Sequence, residues 1–428
     1  MKKLIAVSFL AVASALNAQF DLNAKIIGYE NKPVLVKIYE NGSERLVKRV
    51  ETDKQGNFKL NFPTAYIGKI TFELSQGGFE VISANENISF TTDINDPLHK
   101  VHFEGGINQQ IQDVFELDDK KSLRDFTLVE LVKLYKPQDA FYQALQTEIR
   151  RIDNLEAKPI DNEAIQYYID AKNELGEYNA NKFNAAQIQD KAKKHLVMDN
   201  INLENFGLLQ DFLSTYISYS IGDARSKQDA AKNIEYALDD LLELVQTDTS
   251  RGQAILTNII PMLEGNGFNE MSQKYLSQAE SLTCEITPDL QAIIDGKGNI
   301  EVGKVAPNIV FDKKIKKAKS LYDVKADQKL VVFWASWCPH CINELPHLKE
   351  FYKDFQKKGG EIVAIALDMD RVPYERAIEG TEWINYSDLM KWQSPYVKSY
   401  GVTGTPTMIL LDKDNKVVKI GSRVSEFL

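Results

Sequence analysis

The chain has 428 residues, a formal net charge of −10 and 43% hydrophobic residues. Its length corresponds to about three domains at ~150 residues each, and its composition supports a packed core in each of them. The mild acidity excludes nucleic acid as the main partner, because phosphate binding requires a concentrated basic surface.

The first residues read as an export signal. Lys2 and Lys3 precede an apolar stretch over 4–12, followed by small residues at Ala13, Ser14, Ala15 and Ala18. The stretch is shorter than the ~20 residues of a membrane span; the alternative is an uncleaved N-terminal anchor. Cleavage is expected after Ala18, giving a signal peptide over 1–18, with Ala15 as the competing site. No cysteine follows the apolar stretch, so a lipid anchor is not supported. The mature protein is therefore expected to be soluble and outside the cytoplasm.

A β-rich domain is expected over 19–106. Val34, Val36 and Ile38 alternate with Leu35, Lys37 and Tyr39, and Asn41-Gly42 is a hairpin turn signal. Further short strands are expected over 57–62, 69–74, 79–83 and 87–91, which together predict a small antiparallel sandwich or barrel. The period then lengthens. Phe141, Leu145, Ile149, Ile152 and Leu155, and later Ile234, Leu238, Leu241, Leu242 and Val245, recur at helical steps. An all-helical domain is expected over 107–298, with breaks near Pro137, Pro159, Gly222 and Asn266-Gly267. It has no catalytic spacing and suits a scaffold, a partner surface or a homo-oligomer interface. Asp295-Gly296-Lys297-Gly298 reads as the next boundary.

An α/β domain is expected over 299–428. The apolar run 330–335 suits a buried central strand. A helix is expected over 339–358, a strand over 361–367, and a closing hairpin from 407–411 and 417–420.

Only three cysteines occur, and two of them form Cys338-Pro339-His340-Cys341. A disulfide-stapled scaffold would scatter an even set, so this spacing points to exchange with the disulfides of other proteins. The central strand ends at Ala335 and a helix starts after Cys338. The first sulfur thus sits at a helix N-terminus, where free N–H groups and the macrodipole favour thiolate. Pro339 suits the first helical position, and Cys341, about one turn on, can resolve a mixed disulfide. The competing reading, zinc, needs four ligands, whereas only His340 and His347 lie near the pair. No metal and no cofactor is called for.

Trp337-Cys338-Pro339-His340-Cys341 resembles the thioredoxin active site. The wider run from Phe333 through Glu344-Leu345-Pro346, with the 302–307 entrance and Gly404-Thr405-Pro406-Thr407, is similar to the exported TlpA/ResA-like branch of that superfamily. The resemblance covers the C-terminal domain and implies a thioredoxin-like fold, a redox-active Cys338–Cys341 disulfide, Cys338 as nucleophile and Cys341 as resolving cysteine. It implies a cis-proline at Pro406, a substrate groove formed by Trp337, Pro339, His340, Thr405 and Pro406, and Glu344 as the acid that helps proton transfer. Val332 stands where cytoplasmic thioredoxins keep a buried Asp, leaving Glu344 as the carboxylate available as base. The partners implied are thiols and disulfides of exported proteins and a membrane-bound electron donor or acceptor. The setting implied is the periplasm or envelope of a Gram-negative bacterium.

Two departures stand out. The residues after 417–420 are too few for the family's closing helix, so one sheet face is expected to be covered by the helical domain or left open. The Pro-His dipeptide resembles that of the strong oxidant DsbA, and imidazole beside a thiolate makes a disulfide more oxidising. Direction therefore divides: the family favours a reductase, the dipeptide an oxidase or isomerase. A different class stays open, an envelope binding or assembly protein with an accessory redox domain.

The remaining chemistry-bearing residues have bland readings. Cys284 is expected to be a half-buried thiol, with intermolecular pairing as the alternative. His99 and His102, three apart without a third ligand, are expected at the surface or in a turn, metal binding being the alternative. Lys313, Lys314, Lys316, Lys317 and Lys319 are expected to form a solvated loop, an acidic partner or anionic lipid surface being the alternative. Trp334 is expected to pack and Trp337 to wall the groove.

Overall fold

The structure, a computed structural model, describes residues 20–97, 100–179 and 183–428. The expected signal segment and His99 lie outside the described residues. The described chain forms two compact units. One contains the residues up to Glu30 with Asp53–Ile67 and Ile82–Ile160; the other contains Asn31–Thr52, Gly68–Val81 and Asp161–Leu428.

The first unit holds a four-stranded sheet in the order β4-β1-β7-β8, built from β1 (Phe20–Ile27), β4 (Asn57–Phe62), β7 (Ile88–Asp93) and β8 (His102–Phe103). Alternate side chains of β1, β4 and β7 are buried, as the period-two pattern requires. Phe20 and Phe62 stack across β1 and β4 at 4.5 Å between ring centroids. One pairing departs from the antiparallel expectation: β1 runs parallel to β7, from Leu22 opposite Ile88 to Ile27 opposite Asp93. Hydrophobic alternation reports which face a residue takes and carries no information on strand direction. The unit also holds α1 (Gly106–Arg124), α2 (Glu130–Val132) and α3 (Ala140–Asp153). Leu145 of α3 is buried, whereas Phe141 is exposed.

The second unit begins with a sheet ordered β3-β2-β5-β6: β2 (Pro33–Glu40), β3 (Ser43–Glu51), β5 (Ile67–Glu73) and β6 (Gly78–Ala84). Asn41 and Gly42 make the β2–β3 turn with φ of 51° and 77°, the left-handed pair that a two-residue hairpin needs. Neither four-stranded sheet closes on itself among the described residues, so the barrel alternative is set aside.

Helices α4 (Glu163–Asn179), α5 (Ala185–Val197), α6 (Asn202–Asn205), α7 (Leu209–Ser220), α8 (Lys227–Val245), α9 (Ser250–Gly265), α10 (Asn269–Glu280) and α11 (Pro288–Asn299) follow. Ile234, Leu238, Leu241, Leu242 and Val245 form the buried stripe of α8, as their spacing requires. Cys284 is a free, half-buried thiol 3.5 Å from the Gln253 amide nitrogen. Helix α11 runs on through Gly296 and Gly298. A Cβ at Gly296 would stand 2.8 Å from the Lys398 carbonyl oxygen. That glycine serves a close backbone approach and does not end the helix. No helix among the described residues is long and apolar enough to cross a membrane.

The remaining elements are β9 (Val310–Ile315), β10 (Ala318–Ser320), β11 (Gln328–Trp334), α12 (Pro339–Lys357), β12 (Gly360–Ala366), α13 (Arg371–Ala377), β13 (Ile384–Tyr386), α14 (Pro395–Ser399), β14 (Thr407–Asp412) and β15 (Val417–Gly421). Five of the strands form a sheet ordered β13-β12-β11-β14-β15, with β11–β12 and β12–β13 parallel and the others antiparallel. The apolar run of β11 is the buried centre; Leu348, Tyr352 and Phe355 of α12 join its core. The lysine run is not a loop. It lies on the β9–β10 hairpin, whose turn places Lys316 and Lys317 at φ of 46° and 73°. Lys316 Nζ reaches Glu361 at 3.0 Å. Lysine lacks the Gly or Asn signature of such a turn, which is why the sequence concealed it.

One buried ion cluster secures the helical region. Arg251 pairs with buried Glu204 and donates to the carbonyl oxygens of Leu196 at 2.8 Å, Met198 at 3.0 Å and Asn200 at 3.0 Å. It caps the C-terminal end of α5 while neutralising the carboxylate. Arg251→Met strands Glu204, and the expected loss of about 3–5 kcal/mol is read as a lower urea midpoint of the helical circular-dichroism signal. An unchanged midpoint contradicts this account.

Candidate active site

Burial of β11 fixes where its C-terminal end points, and α12 starts after four intervening residues. Cys338 is the N-cap of α12, with Pro339 in the first turn. The Cys338 sulfur accepts the backbone N–H of Cys341 at 3.3 Å, taking the place of the usual capping oxygen. As a thiol it donates to the Thr405 carbonyl oxygen at 3.4 Å. Thr405-Pro406 is a cis peptide bond. Both cysteines are free and buried.

The two sulfurs are electrostatically unequal. Burial works against a Cys338 thiolate, but hydrogen bonding from Cys341, contact with Thr405 and the backbone N–H groups of Cys341 and His340 outweigh it and hold the pKa below the ordinary value. Burial, then the hydrogen bond to Cys338, pushes Cys341 up to about 12. His340 thus acts on Cys338 through its backbone N–H, while its side chain is exposed.

Glu344 lies one turn beyond Cys341 on the same helix face. Its carboxylate accepts the Val424 N–H at 3.2 Å. Glu344, Cys341, Val332, Trp334 and Pro406 line a small cavity of about 10 Å³. His340, Glu344, Thr405 and Pro406 also border a larger groove of about 1060 Å³ that continues past Phe351 and Leu410. All its lining residues fall between 328 and 428.

Trp337 lies on the other side. It is 42% exposed, and its indole N–H donates to the Leu367 carbonyl oxygen at 3.0 Å. Trp392 meets it edge to face at 6.3 Å, and Lys391 Nζ lies 5.4 Å from its ring centroid. Trp334, by contrast, is core.

Sequence reasoning missed three neighbours: Asp368, Lys391 and Trp392. Asp368 is buried, accepting the Ser336 N–H at 3.1 Å and the Ser336 hydroxyl at 2.5 Å. Burial raises its pKa against the opposing Ser336 hydrogen bonds and the nearby Lys391 charge. Glu344 is therefore not the single carboxylate near the pair. The available signal was position, since Asp368 follows the carboxyl end of a parallel strand, where α/β sites form. Lys391 and Trp392 had no such signal.

Three parallel strands continued by two antiparallel ones, a C-x-x-C at the start of α12 and an adjacent cis-proline define a thioredoxin-like domain. The Redoxin family model matches residues 301–426. Thiol-disulfide oxidoreductase ResA of Bacillus cereus (strain ATCC 10987 / NRS 248) is 30% identical over 129 residues, covering 30% of this chain and 74% of that protein. ResA of Bacillus subtilis (strain 168) is 30% identical over 129 residues, covering 30% and 72%. A solved thioredoxin domain of a thiol-disulfide oxidoreductase from Bacteroides vulgatus shares 30% identity, covers 30% of this chain and 92% of that one, and superposes with a TM-score of 0.28. The chain belongs to the TlpA/ResA-like thiol-disulfide oxidoreductases of the thioredoxin superfamily.

The inequality of the sulfurs has a direct readout. A lowered pKa leaves the thiolate present above that value and lost as pH falls through it. Alkylation of reduced protein by iodoacetamide should therefore modify Cys338 with a midpoint below the ordinary ~8.5. Cys341 should stay unmodified at the same pH, as peptide mapping would show. Equal labelling of the two contradicts the asymmetry.

Proposed function

We propose that this chain is an exported enzyme that reduces disulfides of envelope proteins through Cys338 and Cys341. The observation that carries the reading is the inequality of the two sulfurs, one favouring thiolate and the other held protonated. The Cys338 thiolate attacks one sulfur of a substrate disulfide, forming a mixed disulfide and expelling the other substrate sulfur as a thiolate that takes a proton. Cys341 then loses its proton and attacks the Cys338 sulfur. The second substrate thiol leaves, and the enzyme is left as the Cys338–Cys341 disulfide. A buried thiol at about 12 needs a base for that second step. Glu344 is assigned that role because it lines the same small cavity as Cys341.

Trp337, Pro339, His340, Thr405 and Pro406 are assigned to the substrate groove. A signal peptide over 1–18 brings the protein to the periplasm or envelope, where a membrane-bound donor returns the electrons. The modules proposed are a β-sandwich over 19–106, a helical domain over 107–298 that offers a homo-oligomer surface, and the redox domain over 299–428.

The Pro339-His340 dipeptide favours a second reading, an oxidase or isomerase. Equilibration against glutathione and dithiothreitol buffers separates the two, with Cys338→Ser as control. The expected potential is more positive than the ~ −270 mV of cytoplasmic thioredoxin, and a value near ~ −120 mV, as in DsbA, replaces the reductase by an oxidant. Absence of any exchangeable disulfide overturns the enzyme reading altogether.

Glu344→Gln is expected to slow the second step by about 10-fold or more, so that mixed disulfide accumulates in stopped-flow quench samples while the first attack keeps its rate. Wild-type resolution in this variant removes Glu344 from the mechanism.

A further inference from the structure

The β2–β3–β5 sheet and the redox domain belong to the same compact unit, and side chains of the sheet reach the residues that border the site. Arg49 Nη2 donates to the Met369 carbonyl oxygen at 3.4 Å, and the Ser75 hydroxyl lies 3.5 Å from Asp370. The third connection is ionic. Glu73, at the end of β5, holds Lys391 Nζ at 2.7 Å through one carboxylate oxygen and Lys37 Nζ at 3.2 Å through the other. Lys37 reaches Glu44 at 2.5 Å. The side chains of Lys37, Lys391 and Glu73 are only 9%, 12% and 19% exposed.

The charges alternate Glu44, Lys37, Glu73, Lys391, and the row ends on the face of Trp337, the residue before Cys338. Lys391 has few other choices. Its backbone is left-handed, with φ of 52°. The preceding turn is fixed by Asp388, which accepts the Met390 N–H at 3.1 Å and the Ser394 hydroxyl at 2.6 Å. An ammonium group so placed is drawn both to the carboxylate and to the aromatic face. Without Glu73 it would be a largely buried cation with no direct ion pair, drawn only by the Trp337 face and the Asp368 carboxyl nearby, and it would turn outward to water.

We infer that Lys391, held by Glu73 of the N-terminal sheet, is a positioning residue that fixes the Trp337 wall of the substrate groove, so that the sheet sets affinity for protein substrates. The inference rests on the exchange reading above. Lys391 touches no reacting atom. Its effect is therefore confined to substrates large enough to lie against Trp337.

The test uses the full chain, with insulin as protein substrate and 5,5′-dithiobis(2-nitrobenzoate) as small disulfide. Glu73→Gln is expected to raise KM for insulin on the order of 5-fold, with kcat retained and reduction of the small disulfide within about 2-fold of wild type. Trp337→Ala is expected to raise KM at least as much. The double variant should match Trp337→Ala alone, because Glu73 acts through that ring. Lys391→Arg, which keeps both the ion pair and the stacking, should preserve the insulin KM. Multiplying effects in the double variant, or equal losses on both substrates, overturn the inference. Should Glu73→Gln fail to fold, Lys391→Met replaces it in the same cycle with the same expectations. Wild-type exchange activity that survives Cys338→Ser instead sinks the underlying reading and overturns the inference with it.

Discussion

The site depends on one contact, the Cys341 N–H directed at the Cys338 sulfur. A capping position normally takes an oxygen from Ser, Thr, Asp or Asn. Sulfur in that place receives the unpaired N–H groups of the first turn, and with them the positive end of the helix. The geometry is imposed from behind. β11 is buried on both faces and pinned by β12 on one side and β14 on the other. Phe333 pairs with Thr407, so the two residues before Thr407, Thr405 and Pro406, lie level with the end of β11. That register brings the Thr405 carbonyl to 3.4 Å from the Cys338 sulfur.

A second contact divides the labour between the sulfurs. The side-chain hydrogen bond between the two thiols favours thiolate at Cys338 and disfavours it at Cys341, whose burial already raises the cost of ionising. The two nearby carboxylates are not equivalent either. Asp368 has its oxygens engaged by the backbone and hydroxyl of Ser336, so it supports the loop that carries Trp337 and Cys338. Glu344 has one oxygen committed to Val424 and shares a cavity with Cys341. Geometry therefore favours Glu344 over Asp368 as the proposed proton acceptor.

What the sequence made legible was local. The Asn41-Gly42 turn, the apolar run of β11, the α8 stripe and the cysteine spacing each express a rule that acts within a few residues. Non-local features were silent. Nothing in β1 or β7 declares that they pair in parallel. The glycines at 296 and 298 looked like a boundary because a glycine that ends a helix and one that permits close packing are the same letter. Lys316-Lys317 adopts a turn usually given to Asn-Gly. Glu344 was found through the resemblance of its run to the TlpA/ResA-like branch, while Lys391 and Glu73 are remote in sequence and each reads as an ordinary surface charge.

That last pair bears on why an oxidoreductase carries a sheet ahead of its redox domain. Burial alone would push the Glu73 carboxyl up, yet Lys37 and Lys391 together hold it below the ordinary range. Such an arrangement is costly to desolvate and is weak evidence for stability as such, since apolar residues of similar volume would serve the fold equally well. Its value lies in placement, because an ion pair fixes a donor at a defined point in a way that apolar contact does not. Here the fixed point is the ammonium group over Trp337. The opposite side of the cysteine pair opens into a broad groove beside Pro406. One wall is thus held by charges from the N-terminal sheet and the other is open, so selectivity for a protein substrate falls to the wall that is held.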